Sequence, residues 1–275
     1  MTSLVARFGL DPASRVLLVT ADDLGLSHAS NAAVDTLLRE GSVTSAGLLV
    51  PAPWARDAAL RSGSLDVGVH LTLTAELPNH RWGPVTFAPS LLGGDGGFPA
   101  TVDDLHDHAD PDEVRRECRA QLERAILYGV DPTHLSVHQN ALFAAPALFD
   151  VVAELAEETG LPLRLPDPAA VPGFGFPLHA LAAERGVVHP DFVRSSRDVA
   201  GMGVSAFVSS LRAGVTELVV NPAEDTSELR ALAPDADERV ADALLVGAHG
   251  ALASAIEDAG VLLLGWRALR TLARG

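Results

Sequence analysis

Short apolar runs of strand length alternate with longer segments of helical character along most of the chain, and this alternation restricts the fold. The pattern predicts strands at residues 16–20, 45–50, 66–71, 133–137, 162–165, 217–220 and 261–264. It also predicts a helix that Ser27 caps and Gly41 ends, and further helices that begin at Pro111 and Pro146. Strands that alternate with helices favour a parallel sheet. Six or seven such units favour a closed sheet over an open one, and no G-x-G-x-x-G follows the first strand. We therefore predict an α/β fold: a distorted, TIM-like (β/α) barrel of six to eight parallel strands.

One long segment interrupts the alternation. Residues 75–108 contain Gly93, Gly94, Gly96 and Gly97 and show no clear strand or helix pattern. Loops of this length are usually lids or binding loops, so we predict an inserted loop region here. No low-complexity linker or repeat divides the sequence, and residues 1–275 are predicted to form a single domain.

Charge and cysteine content exclude several classes of chemistry. The chain has 36 acidic and 20 basic residues, a net charge of −16, and no lysine. Without lysine there is no Schiff-base amine, P-loop lysine or lysine general base. The single cysteine, Cys118, excludes an internal disulfide and a multi-thiolate metal site. The negative charge argues against nucleic acid and anionic membranes as partners.

Membrane and secretion signals are absent from the pattern. No apolar run approaches the roughly 18–20 residues that a membrane-spanning helix needs. The first ten residues lack the charged and apolar regions of a signal peptide. We therefore expect a cytoplasmic protein.

Polar residues stand where the predicted strands end. Asp22 and Asp23 follow the first strand, His70 ends the third, His138 follows the fourth, and Asn221 follows the sixth. The carboxyl ends of parallel barrel strands converge on one face. Two imidazoles and a carboxylate can bind a divalent ion and leave positions open for water. Because neighbouring residues of an extended chain point to opposite sides, we expect one aspartate to act as a ligand and the other as a base.

Each of these residues also has a structural explanation when it is taken alone. The Asp-Asp-Leu-Gly run is typical of a turn with capping carboxylates, and a single histidine at a strand end is often only hydrogen-bonded. Their combination at three strand ends favours the metal site. His134 shares a strand face with His138 and is predicted to support the site from behind. His189 is a weaker candidate for the rim of the site.

Four segments resemble the YdjC/ChbG-like carbohydrate deacetylases. They are residues 20–27 (TADDLGLS), 68–74 (GVHLTLT), 133–140 (THLSVHQN) and 261–267 (VLLLGWR). The resemblance covers nearly the whole chain. It implies a distorted (β/α) barrel that binds one divalent cation, with magnesium favoured over zinc, and that removes acetyl groups from N-acetylated sugars.

The resemblance also implies roles for particular residues. Asp23, His70 and His138 would be the metal ligands. Asp22 would be the general base that takes a proton from the metal-bound water as it attacks the acetamide carbonyl. Around them we predict three substrate-binding residues: Thr72, Arg164 and Asn221.

Two positions depart from the family pattern. The third block lacks an aspartate before its ligand histidine and has Asn140 where a second histidine is usual. The late block has Asn221-Pro222 where the family has His-Pro, and that histidine resembles the general acid for the departing amine. Asparagine cannot deliver a proton. Either another group such as His189 or a water supplies it, or the substrate has a better leaving group, or the protein no longer catalyses.

Three functions are therefore compared. The first is a metal-dependent hydrolase that acts on a small N-acetylated sugar or a related N-acyl compound. The second is a catalytically impaired sugar- or metal-binding barrel. The third is an isomerase or lyase that stabilises an enolate, which ranks last because the sequence has no glycine-rich phosphate loop. A homodimer is one option for the assembly.

Overall fold

Seven parallel strands form one curled sheet in the computed structural model, which describes residues 3–248 and 250–275. The strands are β1 (Arg15–Leu24), β2 (Ser45–Leu48), β3 (Val67–Leu71), β4 (Leu135–Val137), β5 (Phe192–Ser195), β6 (Gly214–Val220) and β7 (Leu262–Leu263). Their order is β4-β3-β2-β1-β6-β5, and β7 pairs with the start of β1. All pairings are parallel, and the predicted barrel-like α/β fold is confirmed.

Helices surround the sheet. They are α1 (Leu4–Arg7), α2 (His28–Glu40), α3 (Ala55–Ser62), α4 (Val102–His106), α5 (Pro111–Leu127), α6 (Pro146–Thr159), α7 (Leu178–Glu184), α8 (Ser196–Met202), α9 (Val204–Ser210), α10 (Ser227–Leu232), α11 (Ala236–Val246), α12 (Ala251–Asp258) and α13 (Trp266–Arg274). In the part of the chain that is described, no single helix is long and apolar enough to cross a membrane. The bent pair of α11 and α12 reaches those limits only when both are counted together.

Local signals set the ends of the longer helices. Ser27 caps the start of α2 by accepting a hydrogen bond from the Ser30 backbone N–H, and Gly41 ends it with φ of 76°. That left-handed conformation suits glycine, which has no Cβ to clash. The prediction of a helix from Ser27 to Gly41 is therefore confirmed. Pro111 and Pro146 begin α5 and α6 as predicted.

Short backbone contacts centred on Leu163 join β4 to the residues before β5. They stand where a full strand was predicted. In residues 162–165 only Leu163 forms a bridge, with Leu135 of β4. Its backbone N–H donates to the carbonyl of Val188 at 2.9 Å, shortly before β5 begins. The prediction of a full strand at 162–165 is thus wrong, and β5 was not predicted. Its four residues are all half-buried, so they form no apolar run that a pattern search would find.

The inserted region 75–108 is confirmed as largely irregular, with a 3-10 turn at Pro89–Leu91 and the short helix α4. Two buried or half-buried carboxylates of α5 attach it to the fold. Glu117 accepts hydrogen bonds from the backbone N–H groups of Val85 and Thr86, and Glu113 accepts one from Ser90. This loop is therefore held in place by specific contacts.

The interior of the barrel carries a polar layer under its carboxyl end. The Trp266 indole N–H lies 3.1 Å from both Thr20 Oγ1 and Glu217 Oε1. The His134 ring stacks on the Trp266 ring, with centroids 4.5 Å apart. Gly68 of β3 leaves the space that the His134 ring occupies, because a Cβ at Gly68 would lie against that ring.

We expect Gly68→Ala to lower the free energy of unfolding by about 1–3 kcal/mol, the usual cost of overpacking a core. The added methyl group would lie within 2.5 Å of both a His134 ring carbon and the His134 carbonyl oxygen. Urea unfolding measures the change. Gly94→Ala is the matched control because nothing lies within 4 Å of its Cβ. Equal stability of the two variants would contradict this packing.

Candidate metal centre

A bend at the end of β1 brings two neighbouring carboxylates to one site. Asp23 has φ of 62°, a left-handed conformation that is uncommon for a residue with a side chain. The register of β1 with β2 shifts between Ala21 and Leu24 at the same place. In a regular strand Asp22 and Asp23 would point to opposite faces. The bend at Asp23 lets both side chains reach the carboxyl end of the sheet.

Asp23, His70 and His138 present one ligand atom each to a common point. The His138 Nδ1 atom lies 3.2 Å from His70 Nε2 and 3.7 Å from Asp23 Oδ1, and the three ligand atoms lie within 4.8 Å of one another. All three residues are buried. Among the described residues, Asp23 Oδ1 has no hydrogen-bond partner. The three residues predicted as metal ligands are therefore neighbours in the structure, and as a group they could hold a metal ion.

The outer nitrogens of both imidazoles have partners. The His138 Nε2 atom lies 3.1 Å from Glu76 Oε2, and a carboxylate only accepts, so this nitrogen carries the proton. The His70 Nδ1 atom lies 2.7 Å from Ser136 Oγ. In their neutral forms both rings can therefore present an unprotonated nitrogen to the space that they share with Asp23 Oδ1. Two lone pairs and an unpartnered buried oxygen suit a cation, so the donor set fits a divalent metal.

Charge around Asp23 keeps it ionised. Burial would raise the pKa of Asp23, but the Arg239 guanidinium and the two imidazoles outweigh it and lower this pKa to about 2. The second oxygen, Oδ2, lies 2.8 Å from Arg239 Nη1 and accepts a hydrogen bond from Asn221 Nδ2 at 3.0 Å. One oxygen is thus held by the protein and the other faces the histidines.

The two histidines differ in their charge balance. Burial lowers the pKa of His70 to about 4, so this ring is neutral at pH 7. Burial would also lower the pKa of His138, but Glu76, Asp23 and Asp22 raise it above its ordinary value. A cation at Asp23 would oppose that rise, because it repels the proton.

Asp22 is held beside the cluster by a bidentate ion pair. Arg164 Nη1 and Nη2 lie 2.5 and 3.1 Å from the two Asp22 oxygens. The same guanidinium donates to Glu217 at 2.9 and 2.6 Å. Asp22 Oδ2 lies 3.7 Å from His70 Nε2. The prediction that Arg164 binds substrate does not fit this position, because its fork is occupied by two buried carboxylates.

Two further predicted roles do not fit the structure. Thr72 is fully buried and its hydroxyl donates to the His70 carbonyl at 2.6 Å, so it faces away from the cavity. His134 stacks on Trp266, one layer below. The support that we predicted from His134 comes instead from Ser136, which was missed. Its position two residues before His138 was the available signal, since it shares the face of His134 and His138.

Of the two remaining predicted residues, Asn221 lies at the cavity and His189 does not. Asn221 lines the cavity and holds Asp23, whereas His189 lies elsewhere, with its ring 4.8 Å from that of His179 and its Nδ1 bonded to the Pro190 carbonyl. His189 does not line the cavity above the cluster. It is therefore not placed to donate a proton there.

A cavity of about 520 Å³ opens above the cluster, a volume that suits a small sugar. Its far wall is built from the ends of β5 and β6 and from α8 and α11. The residues that line it, apart from the groups above, include Gln139, Asn140, Val193, Ser195, Ser196, Arg197, Val219, Asp235, Glu238 and Asp242. Gln139 and Asn140 both have positive φ, at 52° and 56°. Strained backbone of this kind clusters at functional sites.

The model of the family of YdjC-like proteins matches residues 16–254, most of the chain. The chain belongs to the YdjC-like family. Its relatives include a carbohydrate deacetylase of Thermus thermophilus, 39% identical over 175 residues that are 63% of this chain and 61% of the relative. A chitooligosaccharide deacetylase of Salmonella typhimurium is 36% identical over 155 residues, 55% of this chain and 59% of that protein. The chain thus matches about three fifths of the length of these curated relatives.

A solved structure of similar shape supports the fold of this YdjC-like chain. It comes from Enterococcus faecalis V583 and is described as a candidate cellobiose-phosphate cleavage protein. The two align with a TM-score of 0.80 at 24% identity, over 93% of this chain and 99% of the other. At that identity the similarity bears on the fold alone.

Proposed function

We propose that this YdjC-like protein is a metal-dependent hydrolase that removes the acetyl group from an N-acetylated sugar or a related N-acyl compound. The observation that carries the proposal is the convergence of Asp23 Oδ1, His70 Nε2 and His138 Nδ1 on one point, with Asp22 beside them. The names of the deacetylase relatives agree with this chemistry. The matched segments cover only part of those relatives, so the activity and the substrate are proposed here for this chain.

Asp23, His70 and His138 would hold the cation. A divalent ion bound there would lower the pKa of a coordinated water and polarise the acetamide carbonyl. Two imidazoles and one carboxylate are ligands that zinc accepts readily, whereas magnesium prefers oxygen ligands. The magnesium prediction is therefore tested directly against zinc.

The side chains of the protein supply the remaining steps. Asp22 accepts the proton that the attacking water releases, and general base catalysis of this kind contributes about 10²–10⁴-fold. Arg164 fixes the Asp22 carboxylate through two hydrogen bonds, and Glu217 fixes Arg164 from below. Because all three side chains are buried, the base is held in one orientation before substrate binds.

Acetate release tests the proposal. Purified protein, first freed of metal with a chelator, is incubated with N,N′-diacetylchitobiose and with either Mg²⁺ or Zn²⁺. We expect acetate only when a divalent ion is added back. Absence of acetate with either ion, together with no binding of either ion by calorimetry, would overturn the proposal.

Asn221→His separates catalysis from the alternative of an impaired binding barrel, which is motivated by the missing histidine. We expect the wild-type protein to be active and this substitution to lower or barely change its rate, because it removes the amide that holds Asp23. In an impaired barrel, restoring the acid would instead raise the rate by about 10²–10⁴-fold. Acetate release from N,N′-diacetylchitobiose by the two proteins decides between these outcomes.

A further inference from the structure

Six carboxyl groups line the cavity, and five of them have a cationic or imidazole partner. Asp22 pairs with Arg164, Asp23 and Asp235 with Arg239, Glu76 with His138, and Glu238 with Arg197. The sixth, Asp242 of α11, has no such partner among the residues that the structure describes. A partner of positive charge favours the ionised form of a carboxyl group. Asp242 is therefore the cavity carboxyl best suited to retain a proton.

Only uncharged groups bond to Asp242. The backbone N–H of Asn221 donates to its Oδ2 at 2.7 Å, and the Ser196 hydroxyl donates to the same oxygen at 3.0 Å. The other oxygen, Oδ1, has no hydrogen-bond partner within the described ranges although the residue lines the cavity. Asp242 is 8% exposed, so its carboxyl group is largely shielded from bulk water.

Asn221 connects Asp242 to the candidate metal cluster. The Asn221 side chain bonds to Asp23, and the Asn221 backbone bonds to Asp242. One residue thus separates Asp242 from a candidate metal ligand. Asp22 lines the same cavity, and its carboxylate is bonded to Arg164 and lies 3.7 Å from His70 Nε2. A substrate amide at the cluster would therefore have Asp22 and Asp242 as two distinct carboxyl groups within the same cavity.

We propose that Asp242 is the proton donor to the departing amine. This role rests on the proposed hydrolase function. The water oxygen bonds to the acetamide carbon and gives one proton to Asp22. The C–N bond then breaks, its electron pair goes to nitrogen, and nitrogen takes the proton of Asp242. Acetic acid and the free amine leave, Asp22 releases its proton to solvent, and Asp242 regains one from solvent.

The charged groups around Asp242 are consistent with a proton on it. Burial raises the pKa of Asp242, and the neighbouring Glu238 raises it further. The hydrogen bonds from Asn221 and Ser196 and the charge of Arg239 act in the opposite direction without cancelling the rise. Arg239 lies one turn away on α11 and is already paired with Asp23 and Asp235.

Dependence on the leaving group tests this role. An amide nitrogen needs a proton to leave, whereas p-nitrophenolate leaves without one. We expect Asp242→Asn to lower kcat for N,N′-diacetylchitobiose by about 10²–10⁴-fold, with little change for p-nitrophenyl acetate. Asp237→Asn is the matched control on the same helix, because Asp237 is exposed and paired with Arg230. It should leave both rates unchanged.

A second variant separates proton donation from structural support. The double variant Asp242→Asn with Asn221→His should regain part of the lost amide rate, because histidine can donate a proton from the neighbouring position. If the wild-type protein does not cleave the ester, the regained amide rate of the double variant decides whether Asp242 donates the proton. The proton-donor role of Asp242 is overturned by an unchanged amide rate in Asp242→Asn. It is also overturned by equal losses on the amide and the ester together with no regained rate in the double variant. Either result leaves the hydrolase proposal standing. A wild-type protein that releases no acetate overturns the hydrolase proposal as well.

Discussion

Asp22→Asn is expected to lower the rate of acetate release by about 10²–10⁴-fold, the contribution of a positioned general base. The amide has nearly the size of the carboxylate but does not take up the proton of the attacking water. The loss should appear in kcat rather than in KM, because Asp22 is bonded to Arg164 and acts on the reacting water. Steady-state kinetics on N,N′-diacetylchitobiose measure it.

Cation binding is the control for this variant. Asp22 is not among the three grouped ligands, so calorimetric Kd values for Mg²⁺ and Zn²⁺ should stay close to those of the wild-type protein. Asp237→Asn, an exposed carboxylate changed in the same way, should keep full activity. Retention of wild-type kcat in Asp22→Asn would show that another group accepts the proton.

His138→Ala is expected to weaken divalent-cation binding by more than the 10–100-fold typical when a partner of a ligand is removed, and to stop acetate release. The substitution removes one of the three grouped ligand residues and leaves Asp23 and His70. The His138 side chain lines the cavity, so the space that it vacates joins the cavity and the fold should tolerate the change. Calorimetry gives the Kd, and a thermal shift on adding the ion gives a readout independent of activity. A bound ion at 100 times its Kd stabilises the folded state by about 2.7 kcal/mol.

Glu76→Gln is the graded comparison for His138→Ala. It keeps an oxygen near His138 Nε2 but removes the charge that fixes the proton there. We expect a loss of affinity of about 10–100-fold, smaller than that of the ligand itself. An unchanged Kd and an unchanged thermal shift in His138→Ala would mean that the ion does not bind at this cluster.

The alternation of strand and helix patterns predicted the barrel well because apolar periodicity is a local property of the chain. The predicted helix that starts after Ser27 and the helices that begin at Pro111 and Pro146 were correct for the same reason. Strand β5 was missed because its half-buried residues carry no such pattern. Short elements of this kind are specified by their pairing with β6, which depends on residues far along the chain.

The candidate ligands could also be proposed from the sequence. Parallel strands of a barrel end on one face, so the aspartate pair, His70 and His138 were expected to be neighbours once the strands were assigned. The family resemblance implied that Asp23 is the ligand of the pair. Their exact partners could not be predicted. Glu76, which bonds to His138, comes from the inserted loop, 62 residues away along the chain. Asn221 and Asp23 are 198 residues apart and meet because β1 and β6 pair in the sheet.

The sequence by itself thus determined the class of fold and the residue types that gather at its carboxyl end. The tertiary structure alone decided which oxygen and nitrogen atoms have a hydrogen-bonding or charged partner and which are left for a ligand. It placed the Arg164 guanidinium between Asp22 and Glu217, turned the Thr72 hydroxyl to a backbone carbonyl, and left Asp242 without a cationic partner among the described residues. The physical reason is that strand and helix preferences act between near neighbours, whereas hydrogen bonding and charge pairing depend on distances that exist only after the sheet has curled.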